Sequence, residues 1–314
     1  MTTSYKRSFH AMSPSSKTTL ASSPAAMDDL FAGAHCRRLL KLRHQEMSKM
    51  EIKTNVLCAS LNYDITRFTV YKLQIQSKVR NDNRGEWTLE KRYSEFFFFR
   101  RDTLSLIREW ETQLGGSQKA ETSEFVLVAN TLRDPITPNF PRKHMRCDTE
   151  QIIKERQDGL KEFVHKLLDA YADISVYLYN TQENDSLSYC KLRGIFLQLE
   201  EFLDVPDSQK EEERRQTDAI LALDDVDVVG VDKSAHTCCI CLEDNCADEA
   251  QPHDAHNHGS DKEKMVKLPC NHQFHEDCII DWFNASTTCP LCRRAAFKEC
   301  PRIFDVTMRE LTEL

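Results

Sequence analysis

The 314-residue sequence predicts an α+β protein with a separate, small metal-binding module near its C-terminus. Two segments in which apolar and polar residues alternate, 71–75 and 87–89, predict neighbouring antiparallel strands. Helical periodicity follows over 94–114 and again over 150–171. Cysteines and histidines concentrate over 238–292. Strands followed by helices in one part and metal-competent residues in another indicate two folded units.

Composition excludes several classes of function. The formal net charge of −8 and the pI near 5.8 argue against a nucleic-acid-binding protein. Thirteen cysteines without a secretory signal predict a reducing compartment and therefore a cytoplasmic protein. No stretch approaches the roughly 20 apolar residues that span a bilayer, so we expect any membrane contact to be peripheral.

Residues 1–52 are predicted to be a disordered or partly helical basic segment. Residues 1–27 are rich in Ser, Thr and Ala and contain no acidic residue, a composition that disordered tails share with transit peptides. We favour the tail because no clear amphipathic stripe is present. The basic helical pattern over 31–50 is compatible with a helix that meets acidic lipid or a partner, and equally with a solvated helix.

Residues 53–205 form the predicted main domain. An additional strand signal before residue 71 completes a three-stranded antiparallel meander. Prolines at spacing three, from Pro135 to Pro141, predict an extended loop between helices. The apolar run 125–128 is compatible with insertion into a bilayer or with burial in the core. A last helical stretch ends near Phe202.

Four short stretches of this domain resemble the phox-homology (PX) domain. They are Lys-Arg-Tyr-Ser-Glu-Phe at 91–96, Phe-Pro-Arg-Lys at 140–143, Ile-Lys-Glu-Arg ending at Arg156, and Phe-Leu at 202–203. The resemblance covers roughly 53–205. It implies a three-stranded meander packed against helices and a site for the headgroup of phosphatidylinositol 3-phosphate.

The resemblance assigns a role to each matching residue. Arg92 would bind the 3-phosphate, and Tyr93 would stack under the inositol ring. Lys143 would meet the phosphate joined to glycerol, and Arg156 would bond to the ring hydroxyls. A densely anionic headgroup requires such converging cationic groups. The alternative for any one of them is a solvated charge at a strand edge.

Residues 206–234 are predicted to be an acidic linker, which is partly helical, between the main domain and the metal module. They contain Glu211–Glu213, Asp224, Asp225 and Asp227 but few aromatic residues. Residues 297–314 are predicted to be a C-terminal tail.

Eight metal-competent side chains within 235–296 form four close pairs. These are Cys238 and Cys241, Cys270 and His272, His275 and Cys278, and Cys289 and Cys292. One pair offers two ligands from a single turn, whereas a tetrahedral zinc ion requires four, so the pairs must combine into two closed structural sites. All eight positions are then used, which disfavours a zinc hydrolase with an open coordination position.

This spacing resembles a RING finger with two central histidines and fits it better than a PHD finger or a LIM domain. In RING fingers, pairs one and three share one metal ion, and pairs two and four share the other. By this resemblance, zinc 1 would take Cys238, Cys241, His275 and Cys278, and zinc 2 would take Cys270, His272, Cys289 and Cys292. Cys239, Cys246, and the histidines at 253, 256 and 258 do not fit the pattern.

RING fingers act by holding a ubiquitin-conjugating enzyme that carries ubiquitin. By resemblance, the apolar contact for that enzyme would come from Ile240, Trp282 and Pro290, with Leu242 and Leu291 at its margin. Arg293, directly after the last ligand, would bridge ubiquitin and the conjugating enzyme. It would favour the reactive conformation of the thioester, which is an orientation effect without a covalent intermediate on the ligase.

Together the two resemblances predict a RING-type ubiquitin ligase with two Zn²⁺ ions, recruited to endosomal membranes by phosphatidylinositol 3-phosphate. Its partners would be a ubiquitin-conjugating enzyme, ubiquitin and a protein substrate of unknown identity. One alternative is a non-catalytic membrane-trafficking adaptor with a lipid-binding PX domain and a protein-binding RING finger. Another is a cytosolic ligase whose PX fold binds a protein. A RING dimer stays open.

Overall fold

The computed structural model has a mixed α+β architecture, as predicted, with a three-stranded antiparallel sheet and a series of helices. It describes residues 30–61, 66–78, 85–115, 122–144, 148–181, 185–226, 238–242 and 264–297. Residues 1–29, which include the predicted tail over 1–27, lie outside the described residues, and so do residues 243–263 and the residues after 297. Among the described helices, none is long and apolar enough to cross a membrane.

The meander predicted from the alternating segments is confirmed. Its strands are β1 (Met50–Leu61), β2 (Thr66–Ser77) and β3 (Glu86–Arg92), in the order β1-β2-β3. Ile75 of β2 lies opposite Ile52 on β1 and Trp87 on β3. All three side chains are buried, because alternate residues of each strand point toward the helices.

Eight α-helices and one π-helical turn lie among the described residues. They are α1 (Ala34–Ser48), α2 (Tyr93–Gln113), α3 (Ser123–Val128), the π-turn (Ala129–Arg133), α4 (Asp134–Ile136), α5 (Glu150–Asn180), α6 (Leu187–Phe202), α7 (Asp207–Leu221) and α8 (Glu276–Ala285). The side chains of Thr122, Thr149 and Ser186 cap α3, α5 and α6. Helix α5 continues nine residues beyond the predicted end, because Ile174, Val176 and other buried side chains extend its apolar face.

The region between α2 and α5 is the expected loop only in part, because helical backbone continues from α3 through the π-turn to α4. Pro135 lies in α4, whereas Pro138 and Pro141 lie outside helices and strands. Phe125 and Leu127 lie on α3 and are buried. Of the two alternatives for the apolar run 125–128, burial in the core is therefore correct.

Helix α1 is packed on one side, so the interpretation of its basic pattern as a solvated helix is wrong. It packs against α5, α7 and α8. Leu39 and Leu42 are buried, and so are Arg38 and Arg43. The arginines are buried because other parts of the chain supply carboxylates and carbonyl oxygens to them, which no sequence period reveals.

The first half of the predicted acidic linker is also a packed helix. Helix α7 buries Gln216, Thr217 and Ile220 against α1 and α8. Its exposed face carries the charged residues that suggested a linker, such as Arg214, which pairs with Glu211. Residues 227–234 lie outside the described residues.

A small second sheet belongs to the C-terminal module. Its strands are β4 (Asp224–Asp225), β5 (Met265–Lys267) and β6 (Gln273–His275), in the order β4-β5-β6. One continuous cluster of buried side chains runs from Phe31 through the main domain to Phe297. The C-terminal module therefore shares its core with the rest of the described structure.

Candidate functional site

The eight metal-competent side chains come together in two groups of four. One group is Cys238, Cys241, His275 and Cys278, and the other is Cys270, His272, Cys289 and Cys292. Within each group the ligand atoms all lie within 4.8 Å of one another. These are the interleaved groups expected from the sequence.

Local turns bring the two members of each pair together. The backbone N–H of Leu242 donates to the carbonyl oxygen of Cys238, and that of Arg293 donates in the same way to Cys289. Leu242, Asn271 and Arg293 directly follow a ligand and have φ values of 63°, 65° and 59°. This left-handed conformation reverses the chain after the ligand and turns the following backbone away from the metal.

The separations between ligand atoms fit tetrahedral zinc. Sγ of Cys241 lies 3.3 Å from Nδ1 of His275, and Sγ of Cys270 lies 3.2 Å from Nδ1 of His272. Zinc with ordinary Zn–S and Zn–N bonds holds sulfur and nitrogen about 3.5 Å apart. The backbone N–H of Arg294 lowers the pKa of the Cys292 thiol to about 7, which favours the thiolate that zinc binds.

Residues 236–293 match the Ring finger domain family. The C-terminal module is a RING finger. Its two Cys/His clusters are zinc-binding clusters, consistent with two Zn²⁺ ions. Strand β6 and helix α8 provide the central pair of this RING finger, since His275 ends the strand and Cys278 lies in the first turn of the helix.

Curated relatives of the RING finger are ubiquitin ligases. E3 ubiquitin-protein ligase Iruka of Drosophila melanogaster is 52% identical over 33 residues, which cover 10% of this chain and 9% of that protein. E3 ubiquitin-protein ligase RNF126 of Xenopus tropicalis is 54% identical over 33 residues, which cover 10% of this chain and 11% of that protein. E3 ubiquitin-protein ligase RNF12 of Xenopus tropicalis is 29% identical over 114 residues, which cover 36% of this chain and 15% of that protein. The chain thus spans 9% to 15% of the length of these relatives.

The side chains expected to meet a conjugating enzyme lie at the surface of the RING finger. Ile240, Trp282 and Pro290 are partly buried. Leu242 and Leu291 are 75% and 52% exposed. The indole N–H of Trp282 donates to the carbonyl oxygen of Thr288 at 2.7 Å, which fixes the ring beside the last ligand pair. Arg293 is exposed.

The residues predicted to bind a lipid headgroup form what we call the basic cluster, defined as Arg92, Tyr93, Lys143 and Arg156. The guanidinium of Arg156 lies over the ring of Tyr93 at 3.9 Å from its centroid. The Tyr93 hydroxyl donates to the carbonyl oxygen of Pro141 at 2.8 Å, which ties α2 to the 140–143 segment. Burial of Tyr93 raises its pKa above the usual value, so the hydroxyl stays a neutral donor.

The two other members of the basic cluster are exposed. Lys143 places its ammonium group 5.4 Å from the ring centroid of Phe97, and that ring is 6.3 Å from the ring of Tyr93. Arg92 is the N-cap residue of α2, and its guanidinium lies 3.5 Å from the ring centroid of Phe68. The structure thus links Tyr93, Arg156 and Lys143 through ring contacts and places Arg92 next to Tyr93 in the chain.

Several residues that contact the basic cluster were not found from the sequence. Asp148 accepts a hydrogen bond from Nη1 of Arg156 at 2.6 Å. Phe68 and Phe97 support the two exposed cations. The signal for Asp148 is its position two helical turns before Arg156, directly before the cap of α5. The two phenylalanines carry no comparable signal because their role depends on the tertiary structure.

Two arginines near the basic cluster have structural partners. Arg100 donates to the carbonyl oxygens of Ile136 and Thr137. Arg101 pairs with Asp102 at 2.7 Å. Arg100 therefore holds the segment after α4 in place.

Helix α5 approaches the 140–143 segment closely at Gly159. A Cβ atom at this position would lie 2.4 Å from Cγ and 2.9 Å from Cδ of Pro141. The lack of a side chain at Gly159 therefore allows Pro141 to reach the position in which it accepts the Tyr93 hydrogen bond.

Proposed function

We propose that the chain is a RING-type ubiquitin ligase whose main domain binds membranes that contain phosphatidylinositol 3-phosphate. The observation that carries the ligase part is the exposed apolar surface beside the zinc clusters. Leu242 exposes most of its surface to solvent, and Leu291 exposes about half. Trp282 of the same surface is partly buried. Such a surface suits a partner with a shallow apolar contact.

The ligase would act by orientation. The two zinc ions would hold the turns that present Ile240, Pro290 and Leu291, while α8 presents Trp282. Arg293 would donate hydrogen bonds to ubiquitin and the conjugating enzyme at once, which restricts the thioester to the conformation that an acceptor lysine can attack. The transferred ubiquitin would pass directly from the conjugating enzyme to that lysine.

Arg293→Ala tests the ligase with a matched control. We expect ubiquitin transfer to fall about ten-fold or more, because one charge-assisted contact contributes about 1.5–3 kcal/mol to the oriented state. The neighbouring exposed Arg294→Ala should retain most activity. Autoubiquitination with a panel of conjugating enzymes is the measurement, and the zinc content should stay at two ions per chain in both variants.

A different result would support the adaptor. If the wild-type chain gives no ubiquitin product with any conjugating enzyme of the panel, the RING finger is a protein-binding module without ligase activity. Equal losses in the two arginine variants would contradict the specific role of Arg293.

The basic cluster supports the lipid part of the proposal. Arg156 of α5 lies over the ring of Tyr93, and Lys143 lies near Phe97, whose ring neighbours that of Tyr93. Arg92 at the end of β3 directly precedes Tyr93.

The buried guanidinium of Arg156 bonds to Asp148 and also interacts with the Tyr71 hydroxyl. An arginine has five N–H donors, so those not used by these partners would bond to a ring hydroxyl of inositol. Arg92 and Lys143 are exposed and therefore available to phosphate groups.

Arg92→Ala tests the lipid proposal. Binding to vesicles that contain phosphatidylinositol 3-phosphate should fall about ten-fold to a hundred-fold, because a phosphate–guanidinium contact contributes about 1.5–3 kcal/mol. Arg108→Ala removes an exposed arginine about four turns further along α2 and should bind like the wild type. Vesicle sedimentation across a phosphoinositide panel is the measurement. If the wild type shows no preference for this lipid, the alternative is supported. In that alternative the protein is a cytosolic ligase whose main domain binds another protein.

A further inference from the structure

Helix α1 lies between the RING finger and the main domain. It packs against α5 of the main domain on one side and against α8 of the RING finger on another, while α7 contacts both α1 and α8. Leu42 of α1 and Phe283 of α8 are both fully buried in the continuous core. The RING finger is therefore joined to the main domain by packed helices as well as by the chain itself.

The contact between α1 and α8 centres on a buried charge. Nε and Nη2 of Arg38 donate to Oε2 of Glu276 at 2.8 and 2.7 Å, and Nη2 also pairs with Asp225. The Arg38 side chain is only 1% exposed. One turn along α1, Lys41 pairs with Asp277. Because Glu276 and Asp277 lie in the first turn of α8, these bonds hold the N-terminal end of α8 against α1.

A second set of polar contacts holds the other end of α8. Nε2 of Gln216 on α7 donates to the carbonyl oxygen of Phe283 at 3.2 Å. The same glutamine accepts a hydrogen bond from Arg43 of α1. Asn284 donates to Gln45 at 2.9 Å. Contacts at both ends of α8 resist rotation of the helix, which a single ion pair would not do.

The interface uses one face of α8 and leaves another free. At about 100° per residue, positions 276, 280, 283 and 284 fall within an arc of about 100°. Trp282 lies about 150° from the middle of this arc. A conjugating enzyme can therefore contact Trp282 while the opposite face of α8 stays bound to α1.

We propose that α1 fixes the orientation of the RING finger on the main domain, with Arg38 as the positioning residue. Because both ends of α8 are held, the surface around Trp282 has one orientation relative to the basic cluster. A ligase attached through that cluster would present ubiquitin to acceptors at a defined height above the same membrane. This inference rests on the proposed function for its membrane consequence, whereas the fixed interface itself does not depend on lipid binding.

Arg38→Glu in the full-length, zinc-loaded chain tests the proposal, with Arg37→Glu as the control. Arg37 is the adjacent exposed arginine of α1 and donates to the backbone oxygen of Ala32. We expect hydrogen exchange of the α8 backbone amides to become about ten-fold faster in Arg38→Glu and to stay unchanged in Arg37→Glu. Glu276→Gln, which keeps the size of the side chain, should produce the same direction of change if Arg38→Glu does not fold.

Ubiquitin transfer separates positioning from a purely structural role. Arg38→Glu should keep two zinc ions and discharge ubiquitin from the conjugating enzyme onto free lysine at the wild-type rate. Transfer to an acceptor protein anchored on vesicles with phosphatidylinositol 3-phosphate should fall about ten-fold, since orientation toward the acceptor is lost. Transfer by Arg37→Glu should match the wild type.

The outcomes distinguish this inference from the lipid proposal. Unchanged α8 exchange in both Arg38→Glu and Glu276→Gln would overturn the fixed interface, whatever the lipid result. Faster exchange with unchanged transfer to the anchored acceptor would overturn the positioning role. If wild-type protein does not bind the vesicles, the lipid proposal fails and the membrane consequence fails with it, while the exchange experiment still decides the interface.

Discussion

The RING finger and the basic cluster hold their candidate residues by different means. In the RING finger, eight ligands in four short turns converge on two metal positions, and the side chains around Trp282 are presented by those turns. In the basic cluster, four residues from different elements rely on the packed core and on contacts such as the Tyr93–Pro141 hydrogen bond. The first site depends on bound metal, and the second depends on the fit between α2, α5 and the segment connecting them.

Because of this difference, substitutions can separate function from stability in the basic cluster more readily than in the RING finger. Removing a zinc ligand destroys the support of every RING residue at once. In the basic cluster, the buried Arg156 should contribute more to stability than the exposed Arg92, although the same ligand is proposed for both. Substitutions in the basic cluster should therefore change lipid binding and stability to different extents. Substitutions of the zinc ligands cannot do this, because each ligand also supports the fold of the RING finger.

The largest expected effect is the loss of a zinc ligand. Cys289→Ser should unfold the RING finger, since a structural zinc ion contributes on the order of 10 kcal/mol to such a module. Zinc analysis should give at most one ion per chain, and hydrogen exchange should show unprotected β5, β6 and α8. Strands β1 to β3 should stay protected because their core surrounds Leu73 and Leu89.

Cys190→Ser is the control for this substitution, because Cys190 is exposed on α6 and belongs to neither metal group. It should retain both ions. Loss of protection throughout β1 to β3 in Cys289→Ser would show that the main domain needs the RING finger to fold, and would contradict the difference between the two regions.

An intermediate effect is expected at Arg156. Arg156→Leu leaves the Asp148 carboxylate without its partner and removes the guanidinium from the Tyr93 ring. Because Asp148 is partly exposed, we expect a loss of about 2–3 kcal/mol in the free energy of unfolding, below the range for a fully buried pair. Urea unfolding followed by the fluorescence of the tryptophans is the measurement.

Arg92→Ala sharpens this contrast. It should lower the free energy of unfolding by about 1 kcal/mol or less, since only an exposed contact with Phe68 is lost. Equal destabilisation by the two substitutions would mean that Arg92 is as structural as Arg156.

Two helical glycines should respond to the same substitution in opposite directions. Gly159→Ala should destabilise the fold by about 1–3 kcal/mol, because its Cβ would overlap the rigid ring of Pro141. Gly194→Ala on α6 meets no atom within 4 Å and should stabilise the fold by about 0.5–1 kcal/mol through helix propensity. Thermal unfolding of the two variants should therefore shift in opposite directions. A gain of stability in Gly159→Ala would contradict the close approach of α5 and the 140–143 segment.

The sequence predicts most clearly those features that depend on local spacing. The alternation around Leu73 specifies the inward face of the sheet, and the pair spacing from Cys238 to Cys292 specifies the metal groups. Asp148 and Phe68 were not found, because their contacts with Arg156 and Arg92 join residues whose proximity depends on the fold.

Helices α1 and α7 show the limit of composition as a guide. Their many charges suggest solvent exposure, but Arg38, Arg43 and Glu213 are buried where oppositely charged or polar groups meet from other helices. Burial raises the pKa of the Glu213 carboxyl, while the nearby Arg43 lowers it. Such compensation belongs to the assembled structure, so neither helix could be placed in the core from its own residues.

The left-handed backbone at Arg293 sets stability against activity. With φ at 59°, this position suits glycine better than any residue with a Cβ, by about 1 kcal/mol. A glycine there would make the turn after Cys292 more stable and would at the same time remove the guanidinium that we propose orients ubiquitin. Selection of variants for heat resistance alone would therefore enrich inactive proteins at this position.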